Sequence, residues 1–332
     1  MVAYRGAVTF TESAASRAVR GPARRRASRD GVRLGLLTAL VSAVAVWGCW
    51  EVFVNSAAGQ RVDQAALTGA LYGRSHLWPA ARQLLDVISV AFIALVLLTV
   101  VLIAAIRRRW MLAIQVTLLL GGANLTTQLL KAHVFVRPDL GGAPSYSNTL
   151  PSGHTTAAAS VSAALLLVVP PRARPWVAIA GASYTAATGV STLIGQWHRP
   201  SDVLAALFVV LSWSGLASAL VATGLDAPLE GTATGAVRQV RPGGRRDTLS
   251  LSLLASVAAL AGLPAVVALR RTWMTTGRIE SGTALVTAYA GGALGVVAAT
   301  FATFALLLVV RRTAGRATAP GSPQRTSRVL PA

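Results

Sequence analysis

Residues 201–223 read SDVLAALFVVLSWSGLASALVAT. Beyond Asp202 the run is apolar and long enough for a helix that crosses a hydrocarbon core of about 30 Å. Similar runs lie at about 34–54, 84–106, 110–131, 154–170, 175–196, 249–269 and 284–310, which makes eight candidate membrane helices. The run at 154–170 is the shortest. Gly291 and Gly295 form a small-xxx-small pair in the last run, a pattern that chance often produces in an Ala/Gly-rich chain, so no helix contact is read from it.

Composition agrees with a polytopic membrane protein. The 332-residue chain is 54% hydrophobic and 13% charged, with mean hydropathy +0.58; a soluble globular chain carries about a quarter charged residues. The net charge of +20 could suggest nucleic acid, but membrane proteins gather basic residues in their cytoplasmic loops. No nucleic-acid partner is expected. The lone Cys49 lies inside the first run, where it has no internal partner for a disulfide and is too little for a metal site. The preference for Arg, Ala and Gly over Lys, Ile and Asn is the mark of a GC-rich, bacterial genome.

With a cytoplasmic N-terminus, 22 of the 31 Lys and Arg residues fall on the cytoplasmic side and nine on the other. That excess follows the positive-inside tendency and places both termini in the cytoplasm. The expected organisation is a disordered basic tail over 1–33, a six-helix membrane core over 34–223 and a cytoplasmic loop over 224–248. Two additional membrane helices over 249–310 and a second basic tail over 311–332 complete it. Residues 55–83 are read as an outer loop. The fold class is all-α, a polytopic membrane helical bundle.

Three polar clusters interrupt the apolar pattern, and this topology brings all three to the outer face. The first closes the third helix. Asn124, Thr127, Gln128 and Lys131 recur at three- and four-residue spacing and share a face. For Asn124 and Gln128 the bland reading, a hydrogen-bonding stripe between helices, is preferred. Lys131, the chain's one lysine, precedes Arg137-Pro138; an ammonium and a guanidinium fork together suit phosphate oxygens.

The second cluster is Pro151-Ser152-Gly153-His154. Ser152 is a natural N-cap, Gly153 permits close backbone approach, and the free N–H groups of a helix start attract anions. His154, in that first turn, can deliver a proton to a leaving oxygen. The third cluster is His198-Arg199-Pro200-Ser201-Asp202. Pro200 suits the first turn of a helix. A carboxylate one turn beyond His198 can hold one ring nitrogen protonated and leave the other nucleophilic.

In the order Lys-x5-Arg-Pro, Pro-Ser-Gly-His, Ser-x6-His-x3-Asp, these clusters resemble the type 2 phosphatidic acid phosphatase superfamily of membrane lipid phosphatases. The resemblance covers roughly residues 84–223. It implies a six-helix phosphatase core and chemistry without a metal or other cofactor. It implies His198 as the nucleophile that becomes a phosphohistidine, Asp202 as the carboxylate that orients it, and His154 as the acid for the leaving alkoxide. Lys131, Arg137, Ser152 and the Gly153 backbone then form the phosphate cradle. Two features depart from the family pattern. Lys131 and Arg137 are separated by five residues where six are usual, and the third motif begins Ser191-Thr192 where Ser-Arg is usual. Losing one oxyanion donor can cost about 10²–10³ in rate. Arg199 or His133 is the expected substitute.

These readings converge on an integral membrane phosphatase of the cell membrane. Its substrate is a lipid or isoprenoid phosphate or diphosphate, met from the bilayer at the extracytoplasmic face. Two rivals use the same residues: a weakened member that binds lipid phosphate without turnover, and a phosphotransferase with a sugar-alcohol acceptor. A transporter is disfavoured, because matching halves with broken helices are not found. The oligomeric state is not legible.

Overall fold

The computed structural model describes residues 29–86, 95, 98, 99, 102, 110–140, 148–223 and 245–314. The described residues form helices and no strands, as expected of an all-α bundle. In chain order these are α1 (Arg29–Cys49), α2 (Ala57–Gly69), α3 (Leu71–Asp86), α4 (Trp110–Leu129), α5 (Gly153–Val168), α6 (Arg174–Ile194), α7 (Pro200–Ala222), α8 (Arg245–Met274) and α9 (Gly282–Ala314). Short π-helical turns, Trp50–Val54 and Leu130–Val134, extend α1 and α4.

Six helical stretches are long and apolar enough to cross a membrane: Arg29–Val54, Met111–Val134, Arg174–Ile194, Pro200–Ala222, Arg246–Met274 and Gly282–Ala314. Helix α5 is apolar but shorter, at 16 residues. Most of the span expected at 84–106 lies outside the described residues, as do 1–28, 224–244 and 315–332. Several helices overrun the hydropathy limits. Helix α8 has 30 residues and α9 has 33, each longer than the ~20 that span a hydrocarbon core. Their arginine-bearing ends continue the helix beyond the apolar stretch, so hydropathy alone underestimates them.

The outer loop expected at 55–83 is instead two helices. Ser56 caps α2, its Oγ accepting from the Gly59 N–H at 3.0 Å. The buried residues Gly59, Val62, Asp63, Ala66 and Gly69 recur at helical spacing. Small and polar side chains make up that face, so it carries little hydropathy signal.

The core joins α1 and α4 to α9. Leu119 and Leu120 of α4, Leu166 of α5, Leu207 and Val210 of α7, Leu254 of α8 and Phe304 of α9 are all buried in one cluster. Helix α5 is buried on nearly every side from Thr155 to Ala164. Its polar stripe knits it to α4: Thr127 Oγ1 and Thr156 Oγ1 lie 2.9 Å apart, and Asn124 Nδ2 donates to Ser160 Oγ at 3.1 Å. Asn124 is therefore interhelical glue, as its bland reading held. Gln128 is exposed.

The C-terminal pair is part of this bundle. Val296 of α9 packs with Leu193 and Val203 at the junction of α6 and α7. A Cβ added at Gly292 would meet the Pro200 ring at 2.5 Å, so α9 abuts the start of α7 closely. A Cβ at Gly291 would meet the Ala268 Cβ at 2.5 Å. The small-residue pattern set aside as chance does let α8 and α9 approach, because both partners are small at the crossing.

Candidate active site

The three clusters meet at one end of the bundle. The turn between α6 and α7 carries His198. Its backbone is held from behind by the Thr192 carbonyl, which accepts from Trp197 N–H at 3.0 Å and His198 N–H at 3.3 Å. Gln196 in the same turn adopts a left-handed φ of 59°, a conformation that costs a non-glycine residue about 1 kcal/mol or more. Its side chain compensates, donating to the Leu67 carbonyl at 2.9 Å and accepting from Arg74 Nη1 at 3.2 Å.

His198 is 7% exposed and Asp202 2% exposed. His198 Nδ1 lies 3.0 Å from Asp202 Oδ2. The same oxygen accepts from the Arg199 N–H at 3.0 Å and from Thr149 Oγ1 at 2.7 Å. An ionised carboxylate only accepts, so Nδ1 is the donor here, and in the neutral imidazole Nε2 then keeps its lone pair. That is the tautomer a nucleophilic or basic histidine requires. Asp202 also ties the second cluster to the third, its backbone carbonyl accepting from Ser152 N–H at 2.9 Å.

Ser152 is fully buried and caps α5, its Oγ accepting from Thr155 N–H at 3.4 Å. A Cβ on Gly153 would find only Gln128 Nε2 at 3.8 Å, so space lies open beside the helix start. His154 is half-buried, its ring centroid 5.3 Å from that of Trp197. It lies within electrostatic reach of both His198 and Lys131. Lys131 sits in the π-helical turn after α4, half-buried and within electrostatic reach of Asp202. The turn ends at Val134, and the chain is not helical through Arg137.

Arg137 is half-buried, and its Nη2 is buried with no hydrogen-bond partner among the described residues. Burial, then the neighbouring Arg199 guanidinium, holds it below the usual arginine range. Arg199 is 3% exposed. Its Nη1 donates to Thr149 Oγ1 at 3.2 Å and its Nη2 to Gln64 Oε1 at 3.0 Å. The two guanidiniums are thus within electrostatic reach of one another, Arg199 buried and Arg137 half-buried. His133, the other expected substitute, is exposed. Thr192 is fully buried, its hydroxyl donating to the Gly189 carbonyl at 2.7 Å.

Sequence reading missed three members. Thr149, in the segment just before Ser152, bridges Asp202 and Arg199. Asp63 and Gln64 come from α2, which was read as loop. Asp63 is 2% exposed and accepts from both the N–H and the Oγ of Ser201. Burial, and then the Asp202 carboxylate, push its carboxyl up to about 7. The signal that could have found it is an acidic residue on the small-residue face of a Ser-capped helical pattern.

Asp63 gives a pH prediction. An unfolded aspartate titrates near 3.9, so the folded protein holds this proton up to about pH 7 where the unfolded chain has released it. The associated stability is full below about pH 4 and is lost as pH rises through about 7. Asp63→Asn stays neutral and keeps an acceptor oxygen. Its apparent Tm in detergent is expected to fall less steeply than the parent's between about pH 5 and 8; parallel slopes contradict this.

Among the described residues, no three His, Cys, Asp or Glu side chains group as metal ligands. Compared with known proteins, residues 112–224 match the family model of the PAP2 superfamily. No curated protein matches the chain, and no solved structure does.

Proposed function

We propose, from the premise that residues 112–224 are a segment of the type 2 phosphatidic acid phosphatase superfamily, that this protein hydrolyses a lipid or isoprenoid phosphate or diphosphate at the extracytoplasmic face of a bacterial cell membrane. Phosphatase-type activity goes with the family; the lipid substrate, the face and the intermediate are inferred from the site and its membrane setting. The observation that carries it is the buried His198–Asp202 pair at 3.0 Å, with His154, Lys131 and Arg137 gathered at the same end of the bundle.

The reaction runs in two steps. His198 Nε2 attacks phosphorus, the bond to the leaving oxygen breaks, and His154 gives that oxygen its proton. Asp202 balances the charge that the His198 ring acquires. Water then attacks the phosphohistidine, His154 takes the water's proton, and phosphate leaves as the P–N bond breaks. Lys131, Arg137, Arg199, Ser152 and the Gly153 backbone hold the phosphoryl oxygens, where fixed donors stabilise developing charge best. The lipid is inferred from the setting, since apolar tails remain in the bilayer while the headgroup reaches the cradle. The excess of basic residues on the opposite side supports the outward-facing site.

One observation favours a second reading. Thr192 stands where the family's arginine is usual and turns its hydroxyl inward to Gly189, so the site lacks that donor. A protein that binds lipid phosphate without turnover, or hands the phosphoryl group to a sugar alcohol, fits the same cradle. The purified protein, assayed in detergent with excess chelator against lipid monophosphates and diphosphates, separates them. Chelator-resistant phosphate release is expected from at least one. Binding without release from any substrate contradicts the hydrolase.

A further inference from the structure

We propose that Gln64, from a helix outside the family-matched segment, is a positioning residue that aims the Arg199 guanidinium at the substrate phosphate and so replaces the arginine missing at Thr192. The inference rests on the phosphatase reading above and assigns a function to α2 within it.

The side chain at 192 is buried and its hydroxyl donates to the Gly189 carbonyl, so it brings no cation from the end of α6. A guanidinium comes instead from the other side of the same turn, at Arg199. An arginine side chain carries about 2 kcal/mol of rotamer entropy, and it stabilises a transition state only if its fork is already in place. Gln64 Oε1 and Thr149 Oγ1 hold the two terminal nitrogens at 3.0 and 3.2 Å. Both acceptors are neutral, so they orient the fork without themselves adding a counter-charge, while Asp63 lies within its electrostatic reach. A glutamate at position 64 would orient it equally well and neutralise it.

Thr149 adds a coupling. Its one hydroxyl proton goes to Asp202 Oδ2 and its oxygen accepts from Arg199, so the arginine is tied to the carboxylate that orients the nucleophile. Arg137 lies close enough for the two guanidiniums to repel one another. Two such cations, one buried and one half-buried, favour an anion near them, and a phosphoryl group has the geometry for a guanidinium fork. Helix α2 is registered for this task by the adjacent residue. Asp63 accepts from Ser201 at the start of α7, which fixes Gln64 opposite Arg199.

The test is a mutant cycle of Gln64→Leu, Arg199→Ala and the double variant in the full-length protein. Affinity for inorganic vanadate and phosphate is read by calorimetry, together with kcat and KM. Gln64→Leu is expected to weaken vanadate binding by about tenfold or more, the scale of a lost hydrogen bond to a charged group. In the Arg199→Ala background the same change should have almost no further effect. Parent-like affinity in Gln64→Leu overturns the proposal, as does an equal loss in both backgrounds, which marks a general structural defect. Should Gln64→Leu not fold, Gln64→Glu keeps length and acceptor; weakened vanadate binding is expected, and parent-like binding overturns the proposal. A parent that binds neither anion and releases no phosphate overturns the phosphatase reading itself, and this inference falls with it.

Discussion

His198→Ala is expected to lower turnover by at least about 10⁴-fold, the scale seen when a nucleophile that works as a unit with its partners is removed. The geometry makes His198 hard to replace. Its ring is almost fully buried, its Nδ1 faces Asp202, and its Nε2 is the nitrogen left for the substrate. Alanine removes the attacking atom and leaves Lys131, Arg137 and Arg199 in place, so phosphate affinity should change far less than kcat. Assays of release and of vanadate binding on the same preparation check both halves. Turnover within about tenfold of the parent would remove His198 from the chemistry.

Asp202→Asn has the next largest expected effect, a loss on the order of 10³-fold carried by kcat rather than KM. Three donors converge on Asp202 Oδ2: His198 Nδ1, the Arg199 N–H and the Thr149 hydroxyl. An amide can place its carbonyl oxygen there and preserve the arrangement, so the fold and the tautomer survive. What it lacks is the negative charge that balances the His198 ring once Nε2 has bonded to phosphorus. In a buried site, where water screens poorly, that absence falls on the transition state. Substrate binding meets a neutral ring and is expected to change little. A variant that keeps kcat and raises KM would reassign Asp202 to ground-state binding.

The His198–Asp202 pair was legible because three residues separate its members across the start of one helix, a spacing that fixes their contact locally. His154 and Ser152 were legible for the same reason, as the first turn of α5 behind a serine cap. The all-α fold followed from run length. The residues that complete the site were hidden by sequence distance. Gln64 is 135 positions from Arg199 and Asp63 is 138 from Ser201, and the local pattern of α2 marks at most an acid on its small-residue face, without naming its partner. Hydropathy passed over α2 because its buried face is built from Gly, Ala, Asp and Gln. The same lack of signal obscured how α9, itself expected as a helix, packs. Its packing on Pro200 depends on Gly292 having no side chain, and an absent side chain carries no pattern. Arg199 was named as a substitute cation from position alone; the acceptors that hold it are visible only in three dimensions.

The central claim is that phosphorus passes through a bond to His198. It is tested most directly by quenching turnover with substrate labelled in the transferred phosphoryl group, then mapping the label on the protein. The account predicts an acid-labile, alkali-stable phosphoryl group on the peptide carrying His198, absent from His198→Ala. Sustained phosphate release with no label on that peptide, or label retained by His198→Ala, would contradict it.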